Sequence, residues 1–166
     1  EKANGVIASS AGNHAQGVAL GATMSGIKST IVMPATAPLA KVTATKNYGA
    51  EVVLSGLVYD DAYAKAVELQ KETGATFLHP FDDEYVIAGQ GTISLEILEQ
   101  LNGNVDTILC PIGGGGIIAG IAVAAKGINP NIKIVGVQTA NIPSMHESIK
   151  NGKVTTAFNA TTIADG

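Results

Sequence analysis

The chain has 166 residues, of which 46% are apolar and 14% charged, and a formal net charge of −4 at pH 7. A mildly acidic chain with few aromatics and no basic stripe argues against nucleic-acid binding, which needs clustered cations for phosphates and rings for stacking. No stretch is long and apolar enough to cross a membrane.

The opening residues, EKANG, are polar and unlike a secretory leader, and the single Cys110 has no internal disulfide partner. A soluble, cytoplasmic protein is the expectation. All ten basic residues are lysine. A bidentate guanidinium clamp is therefore excluded. Any carboxylate or phosphate must be held by lysine, hydroxyls or backbone N–H groups, and the twenty glycines favour the last.

In chain order, residues 5–9 (GVIAS) read as a buried strand and 14–25 as a helix. Residues 29–33 (STIVM) read as a second strand, 39–48 as a helix after PATAP, and 51–54 (EVVL) as a third strand. Apolar residues near the helical period predict a helix over 59–73, and a short strand follows at 76–79. Then come a helix over 84–101, a strand over 106–111, a helix over 116–127, a strand over 132–138 and a last helix over 143–150.

Short β-rich runs alternating with helices imply βαβ units and parallel sheets buried on both faces. The segment HPFDDEY (79–85), with its proline and acidic cluster, is the expected linker. It divides the chain into two α/β lobes, 1–81 and 82–166. Asp82, Asp83 and Glu84 fit a solvated helix start, where negative charge is favourable. Both termini look abrupt, and the chain is expected to be a piece of a larger one.

Two strand-to-helix turns carry chemistry. In TILCPIGGGGIIAG, a strand ends in four consecutive glycines, Gly113 to Gly116, and a helix starts at once. Such a run lets the backbone approach a ligand with no Cβ in the way, and successive N–H groups plus the helix dipole suit a phosphate. The alternative is a plain tight turn, at a cost of roughly 0.5–1 kcal/mol per glycine relative to alanine. Gly114-x-Gly116-x-x-Ala119 fits a dinucleotide fingerprint, but the next strand ends in Val137-Gln138-Thr139 without the acid that would hold a ribose. The lysine-bearing nucleotide loop is also missing, so a compact monophosphate is favoured.

The second turn is SSAGNHAQG, Ser9 to Gly17. Ser9, Ser10 or Asn13 would cap the helix that starts near His14. One cap uses only one of these residues, and the rest sit at the C-terminal end of a parallel strand, where α/β folds place ligands. His14, His79 and His146 show no metal-ligand spacing, and Cys110 reads as a packed core thiol.

SSAGNHAQG followed about a hundred residues later by PIGGGG (Pro111–Gly116) resembles the fold-type II pyridoxal-phosphate enzymes. Within them the likeness is to the threonine dehydratases (threonine ammonia-lyases), then to serine dehydratases and serine racemases. EYVIAGQGTISLEIL (84–98) and TTIADG (161–166) share it, so it covers the whole chain. The resemblance implies two parallel-sheet lobes of the tryptophan synthase β-like architecture, incomplete at both ends, and a homo-oligomeric parent enzyme. It implies that backbone N–H groups of Gly113, Gly114, Gly115 and Gly116 bind the pyridoxal 5'-phosphate phosphate and that Asn13 bonds the ring hydroxyl. Ser10, Ala11, Gly12 and His14 would hold the carboxylate of an amino-acid substrate, and Gly166 would lie near its amine, beside the cofactor.

The family's Schiff-base lysine lies in an S-x-K-x-R-G segment ahead of the serine-rich turn, and none of the ten lysines here has that setting. The expectation is deamination of threonine, possibly of serine, to a 2-oxo acid and ammonia by the parent enzyme, with this piece inactive alone. A non-catalytic module for a small phosphate is the alternative from another class. Relatives like serine racemase bind a divalent cation through acids after the strand matching 132–138. GVQTANIPSM has none, so no metal is expected there.

Overall fold

The structure is a computed structural model and describes residues 4–156. The chain divides into two compact units, Glu1–Pro80 and Phe81–Gly166. The boundary falls inside segment 79–85, one residue before the expected position.

The first unit runs β1 (Val6–Ser9), α1 (Asn13–Met24), β2 (Ser29–Met33), α2 (Leu39–Asn47), β3 (Glu51–Leu54), α3 (Tyr59–Thr73) and β4 (Thr76–Phe77). Its four strands form one parallel sheet in the order β3-β2-β1-β4. The two-residue period of a strand sends alternate side chains to opposite faces, and both faces are used. Ala8, Ile31 and Met33 pack with Ala15, Val18 and Ala19 of α1 and Val42 of α2. Ile7 and Val32 pack with Ala62 and Ala66 of α3. The result is a sheet between helical layers, as expected for parallel strands.

The placement of the helices follows from handedness. Parallel crossovers are right-handed, so the steps β1 to β2 and β2 to β3 put α1 and α2 on one face. The step from β3 back across the sheet to β4 reverses direction and puts α3 on the other. Strand β4 is shorter than the expected 76–79. The Leu78 N–H still donates to Ile7 O at 2.8 Å, but the chain then meets Pro80, which has no N–H to continue a ladder.

The second unit runs α4 (Glu84–Gln100), β5 (Thr107–Pro111), α5 (Gly116–Ile128), β6 (Lys133–Val137) and α6 (Ser144–Asn151). Strands β5 and β6 pair in parallel, from Thr107 opposite Lys133 to Pro111 opposite Val137. Ile108 and Cys110 of β5 point into a core with Leu98 of α4, Ile121 and Ala125 of α5, and Ile132. The opposite face departs from the expectation of a sheet buried on both sides. It carries Leu109 (67% exposed) and Val137 (50% exposed). Helices α4 and α5 cross in close contact at Gly91 and Gly120. A Cβ on Gly120 would run into Ile87 O and lie 2.6 Å from Gly91 N, so the two backbones touch there.

Candidate functional site

The Ser10–Gly12 turn leaves the sheet at a defined place. In the order β3-β2-β1-β4, the chain leaves β1 toward β2 and later returns on the far side to β4. The gap beyond the C-terminal ends of β1 and β4 is thus the switch point where open α/β sheets bind ligands. Ser10 and the start of α1 stand at one lip, and Leu78 and His79 at the other. His14 Nε2 lies 3.0 Å from Leu78 O and ties the two together. A carbonyl only accepts, so Nε2 carries the hydrogen.

The capping expectation for this turn is corrected. Neither Ser9, Ser10 nor Asn13 caps α1: the N-cap is Gly12, and no side chain bonds into the first turn. Ser9 still belongs to β1 and is fully buried, its hydroxyl without a partner among the described residues. Ser10 Oγ bends back to accept the Gly12 N–H at 3.2 Å, which shapes the loop rather than the helix. Asn13 is the first helical residue and is exposed, while Ser10, Ala11, Gly12 and His14 are half-buried. The first bond closing into the helix is Gln16 N–H to Gly12 O, at 3.4 Å. A helix start without a side-chain cap, carrying the positive end of the dipole, suits a carboxylate.

The glycine turn has the same logic with less side chain. Helix α5 starts at Gly116 behind the N-cap Gly115, which takes the left-handed conformation (φ +98°) that a non-glycine residue adopts only with strain. No side chain caps α5, and its first closing bond is Ala119 N–H to Gly115 O at 3.0 Å. The N–H groups of Gly116, Ile117 and Ile118 therefore have no acceptor among the described residues. Gly113 and Gly114 are exposed, Gly115 half-buried and Gly116 buried, so one side of the turn is open and the other packed. A Cβ on Gly114 would clash with the Phe81 ring, and one on Gly116 would lie 2.9 Å from Phe81 Cα. These two glycines are needed for packing and Gly115 for its dihedral. Such an open row of N–H groups matches the geometry that holds a phosphate.

Neighbouring groups have structural jobs. Asp83 caps α4, its Oδ1 accepting the N–H groups of Tyr85 (2.9 Å) and Val86 (3.0 Å). Burial pushes the Cys110 thiol above its usual range, so it is a core group rather than a reactive one. Phe77 lies between Tyr63 and His79 in a short aromatic row. Among the described residues no three His, Cys, Asp or Glu side chains gather as a metal site. Gly166 lies outside the described residues.

Sequence reasoning missed Phe81 as the support of the glycine turn and Gly91/Gly120 as the helix contact. The second had a signal: Gly116, Gly120 and Ala124 recur every four residues, a stripe of small side chains along one face of α5.

Parallel sheets under helices, with uncapped helix starts at a switch point and after a glycine run, form an α/β arrangement whose turn N–H groups can bind small anions. Comparison with known proteins makes this specific. The family described as pyridoxal-phosphate dependent enzyme matches residues 1–166. An L-threonine ammonia-lyase of Thermotoga maritima is 54% identical over the whole chain, which spans 41% of that relative. The processed form of threonine deaminase isoform 2 from Solanum lycopersicum matches with a TM-score of 0.91 at 45% identity, over 98% of this chain and 44% of that one. Maize serine racemase matches with a TM-score of 0.90 at 43% identity, over 98% of this chain and 49% of that one. The chain belongs to the pyridoxal-phosphate dependent enzymes, and it spans less than half the length of these relatives.

Proposed function

We propose that these residues carry the phosphate and carboxylate sites of a cytoplasmic, homo-oligomeric ammonia-lyase that deaminates threonine, and possibly serine, to a 2-oxo acid and ammonia. The observation that carries the reading is the uncapped start of α5 behind left-handed Gly115, within a chain matched along its full length by the pyridoxal-phosphate family. In this reading the first unit is most of a small lobe, and the second is the phosphate-binding part of a larger one.

The backbone N–H groups of Gly113, Gly114, Gly115 and Gly116 hold the cofactor phosphate. Asn13, exposed at the head of α1, bonds the ring hydroxyl and sets the ring's tilt. The N–H groups and hydroxyl of Ser10, Ala11 and Gly12, with His14, orient the substrate carboxylate. His14 does so while its Nε2 holds the turn against Leu78 O. Gly166 borders the substrate amine. Pyridoxal 5'-phosphate supplies an electron sink for charge developing at the substrate α-carbon. No lysine in this sequence has the S-x-K-x-R-G setting of the family's catalytic base, so the 166 residues bind without turning over.

The test is titration of the chain with pyridoxal 5'-phosphate and with inorganic phosphate, alongside an assay of 2-oxobutanoate from L-threonine. Saturable binding of both, competitive with each other and without turnover, is the expected result. Failure to bind either removes the site, and robust turnover overturns the division of labour. The match to maize serine racemase supports a second reading, in which the parent acts mainly on serine. Comparing L-serine with L-threonine as substrates of the longer protein separates the two. Binding with no activity in any longer form would leave a non-catalytic phosphate module.

A further inference from the structure

The glycine turn has a packed side, and that side is built from side chains outside the turn. The Phe81 ring occupies the space a Cβ on Gly114 would need, and Phe81 Cα and Cβ lie 2.9 Å from the corresponding point on Gly116. Met145 Cε lies 2.9 Å from the Cβ position of Gly115. Met145 is itself fixed: Gln138, just after β6, accepts its N–H at 3.0 Å and that of His146 at 3.3 Å, and donates to Ser144 Oγ at 3.3 Å. Phe81 itself lies ahead of α4, two residues before the N-cap Asp83, and takes no part in that cap's hydrogen bonds to Tyr85 and Val86.

We propose that Phe81 is a positioning residue for the phosphate turn, seconded by Met145 on the Gln138-capped start of α6. A four-glycine loop has the largest conformational freedom to lose, and ordering it on ligand binding would subtract from affinity. A ring seated against Gly114 and Gly116 restricts that freedom in advance, so the N–H groups of 113–118 are arrayed before an anion arrives. The two glycines and the ring form one unit. The missing Cβ atoms admit the ring, and the ring replaces the rigidity that the missing Cβ atoms remove. The inference rests on the glycine turn being the phosphate site, as proposed above.

The experiment compares the unaltered chain with Phe81→Ala, Phe81→Leu and Phe81→Tyr. It measures affinity for inorganic phosphate and for pyridoxal 5'-phosphate, together with amide hydrogen exchange of residues 113–118 in the free protein. Phe81→Ala is expected to weaken both affinities by about tenfold, the size of one or two ordering terms, and to speed exchange in the turn while the α5 interior stays protected. Phe81→Tyr, which keeps the ring, should restore both. If Phe81→Ala is too unstable to study, Phe81→Leu serves, with a smaller loss in the same direction. Unchanged phosphate affinity and exchange in a folded ring-less variant overturn the proposal. So does a loss confined to pyridoxal 5'-phosphate, which would make Phe81 a direct contact to the ring system. If the unaltered chain binds neither anion, the site assignment fails instead.

Discussion

Helices α4 and α5 lie against each other in one unit and begin in opposite ways. At the start of α4, Asp83 places a carboxylate oxygen 2.9 and 3.0 Å from two first-turn N–H groups. At the start of α5 there is no side chain to do this, and the residue in the cap position is a left-handed glycine. A glycine in the cap position gives up a few tenths of a kcal/mol relative to Asp, Asn or Ser, and α5 also bears the conformational cost of its glycines. A turn that only changed direction would resemble that of α4. In the function proposed above, the one before α5 leaves its donors for an anion. Helix α1, opening on Gly12 without a side-chain cap, resembles α5 rather than α4.

The contrast can be broken at its base first. Gly120→Ala would drive a methyl into Ile87 O and Gly91 N of the neighbouring helix, where no flexible side chain can yield. It should cost about 3 kcal/mol, the upper range for overpacking, read as a lower urea midpoint for the second unit. An unchanged midpoint would mean that the helices do not cross as described. Asp83→Ala is the next largest. It should cost about 1 kcal/mol and leave phosphate affinity intact, since this cap serves the helix and not the ligand. A matching loss of phosphate affinity would erase the distinction between the two starts. The smallest effect sharpens it. Nothing lies within 4 Å of a Cβ added to Gly12, so Gly12→Ser should raise stability by a few tenths of a kcal/mol, about the serine-over-glycine difference at a cap. The same hydroxyl would compete for the first-turn N–H groups and weaken binding of a carboxylate probe such as L-threonine. No gain in melting temperature would show that those N–H groups already have acceptors.

The strands and helices were readable because each carries its period within a few residues: EVVL as strand three, and the apolar spacing from Tyr59 to Leu69 as a helix. The glycine run was equally readable as a place where backbone is offered. Three things were not. The cap of α1 fell to Gly12 although serine and asparagine, the better capping types, stood on either side, because Ser10 Oγ was turned back onto the loop. The order β3-β2-β1-β4 joins strands through contacts that no local pattern specifies. The seat of Phe81 against Gly114 links residues 33 positions apart, and in sequence the ring read only as part of a linker. Local chemistry announced the donors, whereas what braces them arises from tertiary packing.

The sheet order has one more consequence. The lips that His14 and Leu78 hold together are set by the hand of the crossovers, a property every L-amino-acid chain of this topology shares. Substitutions at Ser10, Asn13 or His14 can therefore change the side chains that border the crevice. None of them can relocate it, because its address is written in the chirality of the backbone.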